Sequence, residues 1–252
     1  LEFRRVLFRS QGWQVLDRAH YLHPFTDHAG LRQTGSRVAV RGEGIYVWDT
    51  EGKRIIDGLS GLGCVNIGYG RREMVNAAAE QMLELSYCQS FFKTTHRTAV
   101  RLAETLTGML PEHLNHVFFQ SSGSEANETA TRLARRYWDL EGKPGKRLFI
   151  ARELAYHGST HMAASLSGIP PMHYAGGDIP LSNVHHIRTA YQYRHGAGMD
   201  AAEFGIVAAG WLEDKILKLG ADNVAAFIAE PAQSAGGALC PPETYWPEIQ
   251  RI

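Results

Sequence analysis

Apolar residues recur at steps of three and four through two early stretches. In residues 71–85 they are Met74, Ala78, Met82 and Leu85; in residues 98–110 they are Leu102, Leu106 and Leu110, and Pro111 ends the run. Both patterns predict amphipathic helices. Ahead of them lie three short strand patterns, residues 37–41, 44–49 and 53–57, separated by the turn signals Gly42-Glu43 and Asp49-Thr50-Glu51-Gly52. These predict a small antiparallel meander. Beyond Pro111 the two patterns alternate. Residues 116–120, 147–152 and 224–229 read as strands; residues 124–141 and 211–219 read as helices, closed by Gly142 and Gly220. In the helix at 124–141, Ala126, Ala130, Leu133, Ala134 and Tyr137 form the predicted apolar face. Such alternation predicts an α/β fold with a mostly parallel sheet and helices on both faces. Residues 245–252 read as the opening of a further amphipathic helix, and the many helices for few strands lead us to expect an N-terminal fragment of a longer protein.

Composition narrows the class. A chain of 252 residues, 44% hydrophobic and 21% charged, can bury a core without disulfides or metals. Lys plus Arg and Asp plus Glu are 26 each, and this neutrality argues against a nucleic-acid partner. No apolar run approaches the length that spans a bilayer. Cys64, Cys88 and Cys240 are too far apart for a zinc site or a disulfide framework, and the expectation is reduced thiols in a cytoplasmic protein. Residues 1–10 carry three arginines and no apolar run longer than Val6-Leu7-Phe8, so we read them as a non-native leader and not as a signal peptide.

The densest chemistry lies in Gln120-Ser121-Ser122-Gly123-Ser124-Glu125, where a strand pattern meets a helix pattern through a Ser/Gly turn. Such a turn offers free N–H groups at the positive end of a helix dipole, beside hydroxyls, which is a phosphate site in physical terms. A plain helix cap, Ser followed by Glu in the first turn, is the simpler reading of the spacing alone. Downstream, Tyr156 follows a strand and points toward the crevice where α/β sheets bind ligands; a Tyr packed beneath a loop is the plainer alternative. His157 and His161 stand four apart, but no third ligand accompanies them, so no metal is expected. Ser90-Phe91-Phe92-Lys93 fits an S-x-x-K pattern without its companion motifs and is read as chance.

Taken together these segments resemble the class III aminotransferases, enzymes dependent on pyridoxal 5'-phosphate (PLP), and most closely the amine or ω-amino acid:pyruvate branch. The resemblance rests on WQVLDRAHYLHPFTD (13–27), GLGCVNIGYGR (61–71), FFKTTH (91–96), SGSEAN (122–127), YHGST (156–160) and EPAQSAGGALCPPETYWP (230–247), six motifs in family order. It implies PLP-dependent transferase fold type I, with residues 11–66 as part of a small domain and residues 67–252 as a PLP-binding large domain truncated at its C-terminal end. It implies that Ser122, Gly123 and Ser124 hold the cofactor phosphate, that Tyr156 stacks on the pyridine ring and that Glu230 lies near the cofactor. Gly63 and Phe91 are the implied substrate-pocket residues, Phe91 often serving the pocket of the neighbouring subunit. The implied reaction moves an amino group from an amine or ω-amino acid to an oxo acid such as pyruvate, in a homodimer without nucleic-acid or membrane partners. An aminomutase or racemase on the same scaffold, and a non-catalytic binding chain, are the alternatives.

Two positions depart from the family pattern. Ser121 stands where Asn is usual, and Gly63 stands where this branch often carries Trp. In the family the lysine that forms the Schiff base with PLP, and the acid facing the pyridinium nitrogen, follow the EP…YWP segment. None of Lys53, Lys93, Lys143, Lys146, Lys215 and Lys218 fits that role, so both groups are expected beyond Ile252 and the chain alone is expected to be inactive.

Overall fold

The computed structural model describes residues 10–174 and 177–252. The proposed leader lies outside the described residues except for Ser10, which opens a helix. The chain forms two compact units, one ending at Gly108 and the other spanning Met109–Ile252.

The first unit begins with helices α1 (Ser10–His20) and α2 (His28–Thr34). Asp27 caps α2 by accepting from the N–H groups of Ala29 and Gly30. The meander follows as β1 (Ala39–Glu43), β2 (Tyr46–Asp49) and β3 (Arg54–Ile56), all antiparallel neighbours. The Asp49 carboxylate makes the β2–β3 turn by accepting from Glu51 N and Lys53 N at 3.0 and 2.9 Å. Arg41 lies over Trp48 and Arg54 over Tyr46, so cation–π pairs cross between neighbouring strands. Helices α3 (Arg72–Leu85) and α4 (Arg97–Thr107) match the periodic stretches to within a few residues. The second stops before Leu110 because Gly108 caps it.

The second unit is built on a parallel sheet of order β5–β4–β6, with β4 at Leu148–Arg152, β5 at Val184–Ile187 and β6 at Val224–Phe227. Alternate β4 side chains serve opposite faces. Phe149 and Ala151 pack with Met162 and Leu166 of α6 (His161–Leu166) and with Ala134 and Trp138 of α5 (Gly123–Leu140). Ile150 packs on the other face with Leu212 of α7 (Ala201–Leu219) and with Ile249 of α8 (Tyr245–Arg251). Helices therefore cover both faces of the sheet, as the alternating pattern predicts.

Several elements differ from the sequence reading. Residues 116–120 are not a strand: they pair with none of β4, β5 and β6, and Phe118 and Phe119 are exposed. The inward face of α5 is Thr131, Ala134 and Trp138, the last donating Nε1–H to Ala225 O at 2.7 Å. Leu133 and Tyr137 face outward. Helix α7 begins ten residues ahead of the predicted start, capped by Asp200. Gly205 and Gly210 weaken its helix signal, but Gly205 is a packing requirement: a Cβ there would collide with Thr244 Oγ1 and stand 3.1 Å from Pro242 Cβ.

Candidate active site

The site is built where α5 starts. Ser122 is the N-cap and its Oγ accepts from Glu125 N at 3.2 Å, while Glu125 Oε2 accepts from Ser121 N at 3.0 Å. The Ser122 cap is thus realised, with the Glu125 carboxylate reaching back to the residue before the cap rather than to the cap's own N–H as in a full capping box. It leaves something over. The N–H groups of Gly123 and Ser124 have no acceptor among the described residues. A Cβ on Gly123 would meet nothing within 4 Å, so the helix start is uncrowded on that side. Two free donors at the positive end of an 18-residue helix are what an anion seat requires.

Ser124 faces the other way as well. Its Oγ accepts from Ser159 N at 3.0 Å, which leaves its own hydroxyl proton to donate. Asn127 Nδ2 donates to His157 O at 2.6 Å, and Glu128 Oε1 accepts from Met162 N at 3.0 Å. The first two turns of α5 thus hold residues 157–162 through three side chains. Gly158, at φ +129°, is needed at the closest approach, because a Cβ there would collide with Ser124 Oγ.

The loop carrying Tyr156 is pinned from its other side by Glu230. The Glu230 carboxylate accepts from Tyr156 N at 2.9 Å and from Ser234 N at 3.2 Å. Arg152, at the end of β4 and wholly buried, donates to the backbone oxygen of Glu230 and lies over the rings of Tyr245 and Trp246. Burial pulls its pKa below the ordinary arginine value. Gln233, also buried, donates to Glu153 O at 2.8 Å and accepts from Thr189. Tyr156 itself is 38% exposed.

His157 and His161 have separate surroundings. His161 is exposed and pairs with Asp178 at 2.9 Å. His157 is buried, its backbone N–H donating to Ser167 Oγ at 2.9 Å and its ring Nε2 without a partner. Burial, helped by the charges of Arg152 and His186, pulls its pKa down to about 4. Among the described residues no three His, Cys, Asp or Glu side chains cluster as a metal site, and Cys64, Cys88 and Cys240 are free thiols. Lys146 Nζ is bound to Ala221 O and Val224 O at the amino end of β6, the opposite end of the sheet from Tyr156.

The structure therefore brings Ser122, Gly123, Ser124, Tyr156 and Glu230 onto one set of linked loops in the second unit. Gly63 and Phe91 belong to the first unit. Gly63 sits at φ +78° with open space at its Cβ position, and Phe91 is exposed, its N–H bound to Gln89 Oε1 at 2.6 Å. Sequence reasoning missed Asn127, Glu128 and Arg152. Only the crowding of polar residues in the first turns of α5 hinted at the first two.

Among similar proteins is the putrescine–pyruvate aminotransferase of Pseudomonas aeruginosa, 49% identical over 97% of this chain and 53% of its own length. Among solved structures, a thermostable (S)-enantioselective omega-transaminase from Thermomicrobium roseum superposes with a TM-score of 0.92, at 42% identity over 97% of this chain and 54% of its own. The omega transaminase of Pseudomonas jessenii in complex with PMP does so with a TM-score of 0.90, at 38% identity over 94% of this chain and 52% of its own. The chain thus spans about half the length of the relatives it matches. No described helix is long and apolar enough to cross a membrane. The family model for Aminotransferase class-III matches residues 30–252, and the chain belongs to that family.

Proposed function

We propose that the full-length protein carrying this chain is a PLP-dependent aminotransferase that moves an amino group from an amine or ω-amino acid to an oxo acid such as pyruvate. The observation that carries this reading is the pair of unpartnered N–H groups at Gly123 and Ser124, tied through Ser124 Oγ to the loop that bears Tyr156. A phosphate dianion suits that seat, and a planar ring suits the partly exposed Tyr156. When bound, PLP supplies the electron sink that lets a substrate carbon give up its proton.

The residues of this chain divide the remaining tasks. Gly123 and Ser124 bind the phosphate, with Ser122 beside them as the cap. Tyr156 holds the ring plane from one side. Glu230 fixes the Tyr156 backbone and so orients that ring. Gly63 and Phe91 line the amine pocket. The lysine that joins PLP and the acid at its pyridinium nitrogen are assigned to residues outside this sequence. Residues 11–66 serve as a small-domain part and residues 67–252 as the cofactor domain. A cytoplasmic homodimer is the proposed setting; the three free thiols suit a reducing compartment.

The test is titration of the full-length protein with PLP, followed by an amine-to-pyruvate assay. Turnover that is saturable in amine and needs PLP is expected. PLP binding without amine-dependent alanine formation would overturn the reading. The chain of 252 residues, assayed alone, is expected to give no turnover above free PLP.

A further inference from the structure

The connection from β3 to α3 contains a run of backbone that an L-amino-acid chain avoids. Ser60, Gly61, Leu62 and Gly63 have φ values of +51°, +57°, +60° and +78° in succession. They form one turn of left-handed helix, closed by Gly63 N donating to Leu59 O at 3.0 Å and Val65 N to Ser60 O at 2.8 Å. Single left-handed residues are common at glycine, but a left-handed turn that includes Ser and Leu is strained. Such strain persists only where the surroundings over-determine it.

Asp57 supplies that constraint. One carboxylate oxygen accepts from Gly61 N at 2.7 Å and from Tyr69 Oη at 2.7 Å; the other accepts from Leu59 N at 3.2 Å. The Asp57 backbone N–H bonds Ile45 O at 2.9 Å, so the carboxylate is mounted on the meander. Tyr69 is fixed to the same sheet, exchanging backbone hydrogen bonds with Gly44 and laying its ring on Gly42, where a Cβ would come within 2.7 Å of it. One side chain thus ties the sheet, the strained turn and the Tyr69 anchor together. The turn displays what it carries: Leu62 is 79% exposed, and the Cβ position of Gly63 faces open space.

We propose that Asp57 is a positioning residue for the amine donor, its carboxylate setting the left-handed turn that displays Leu62 and Gly63 and thereby the size of donor admitted. The proposal rests on the aminotransferase reading, in which Gly63 lines the donor pocket. Asp57 touches no reacting atom; it acts through the turn.

Two measurements test it. In this chain, Asp57→Ala removes the acceptor of the Gly61 and Leu59 amides, and hydrogen exchange at both should speed up about ten- to hundredfold, the range for a lost hydrogen bond to a charged group. Tyr69→Phe, which spares the acceptor, should change them less. In the full-length protein, Asp57→Ala and Asp57→Asn should shift the ratio of kcat/KM for bulky over small amines by about tenfold while PLP affinity stays unchanged. A merely structural role would lower all donors and PLP affinity together and leave the ratio where it was. An unchanged ratio, or unchanged exchange at Gly61, overturns the proposal. A wild-type protein that binds PLP yet transaminates no amine overturns the aminotransferase reading instead.

Discussion

Ser124 Oγ accepts a hydrogen bond from the backbone N–H of Ser159 at 3.0 Å. The same hydroxyl that borders the anion seat therefore also holds the loop following Tyr156, and the two halves of the site share one atom. Ser124→Ala should weaken PLP binding by about ten- to hundredfold, because a donor to a dianion is lost, and should also speed amide exchange at Ser159. Titration of the apo-protein with PLP, with exchange measured in parallel, checks both. Unchanged affinity would leave the turn a helix cap and nothing more.

Glu230 offers a second test from the opposite side of the loop. Its carboxylate receives Tyr156 N and Ser234 N from two separate segments. Glu230→Gln keeps the size but turns one acceptor into a donor facing an N–H. Exchange at one of the two amides should accelerate markedly, and because both bonds lie at exposed positions stability should fall by only about 0.5–1.5 kcal/mol, the net worth of an ordinary hydrogen bond. Denaturant melts measure the loss.

The buried imidazole of His157 sets a pH dependence. Its pKa in the folded chain is pulled from 6.5 down to about 4, so between those values the unfolded chain binds more protons than the folded one. The stability that His157 contributes is present above about 6.5 and is lost as pH falls toward about 4, and for a shift of this size it amounts to about 3 kcal/mol. His157→Gln should flatten that part of the pH–stability curve. A curve equally steep in the variant would place the acid sensitivity elsewhere, with His186, also pulled down by burial, the next candidate.

Gly63 makes a prediction in which strain and function must be separated. In the full-length protein Gly63→Trp should cut activity on bulky amines more than on small ones. Gly63 also stands at φ +78°, so any side chain there carries a backbone penalty of about 1–2 kcal/mol. A melting curve should therefore show a modest loss for the variant, and the donor ratio, not the overall rate, is the quantity to compare. Equal loss on both donors would remove Gly63 from the pocket.

The sequence made the loops of the site legible and part of their support. The Ser/Gly turn before α5 was readable because cap, glycine and helix period coincide within a few residues. Strand β5 was not readable: His185 and His186 interrupt a four-residue apolar pattern, and only Val184 and Ile187 are buried. The over-reading of residues 116–120 has the opposite cause. Val117, Phe118 and Phe119 have strand propensity, but a strand is defined by its neighbour, and the described chain supplies none. Arg152 was missed because a charged residue at a strand end normally reads as solvent-facing, whereas here two aromatic rings and a carbonyl enclose it.

The bond from Glu230 to the Tyr156 amide spans 74 residues of sequence. On a ribosome adding about 5–20 residues per second, Tyr156 emerges several seconds before the carboxylate that will secure it. Strand β4 and helix α5 can meet early, since both lie within a short stretch of chain, but Tyr156 must wait for β6 and the residues after it. Translation speed between β4 and Glu230 thus sets how long the Tyr156 amide waits for its acceptor, while residues 157–162 are already held by α5.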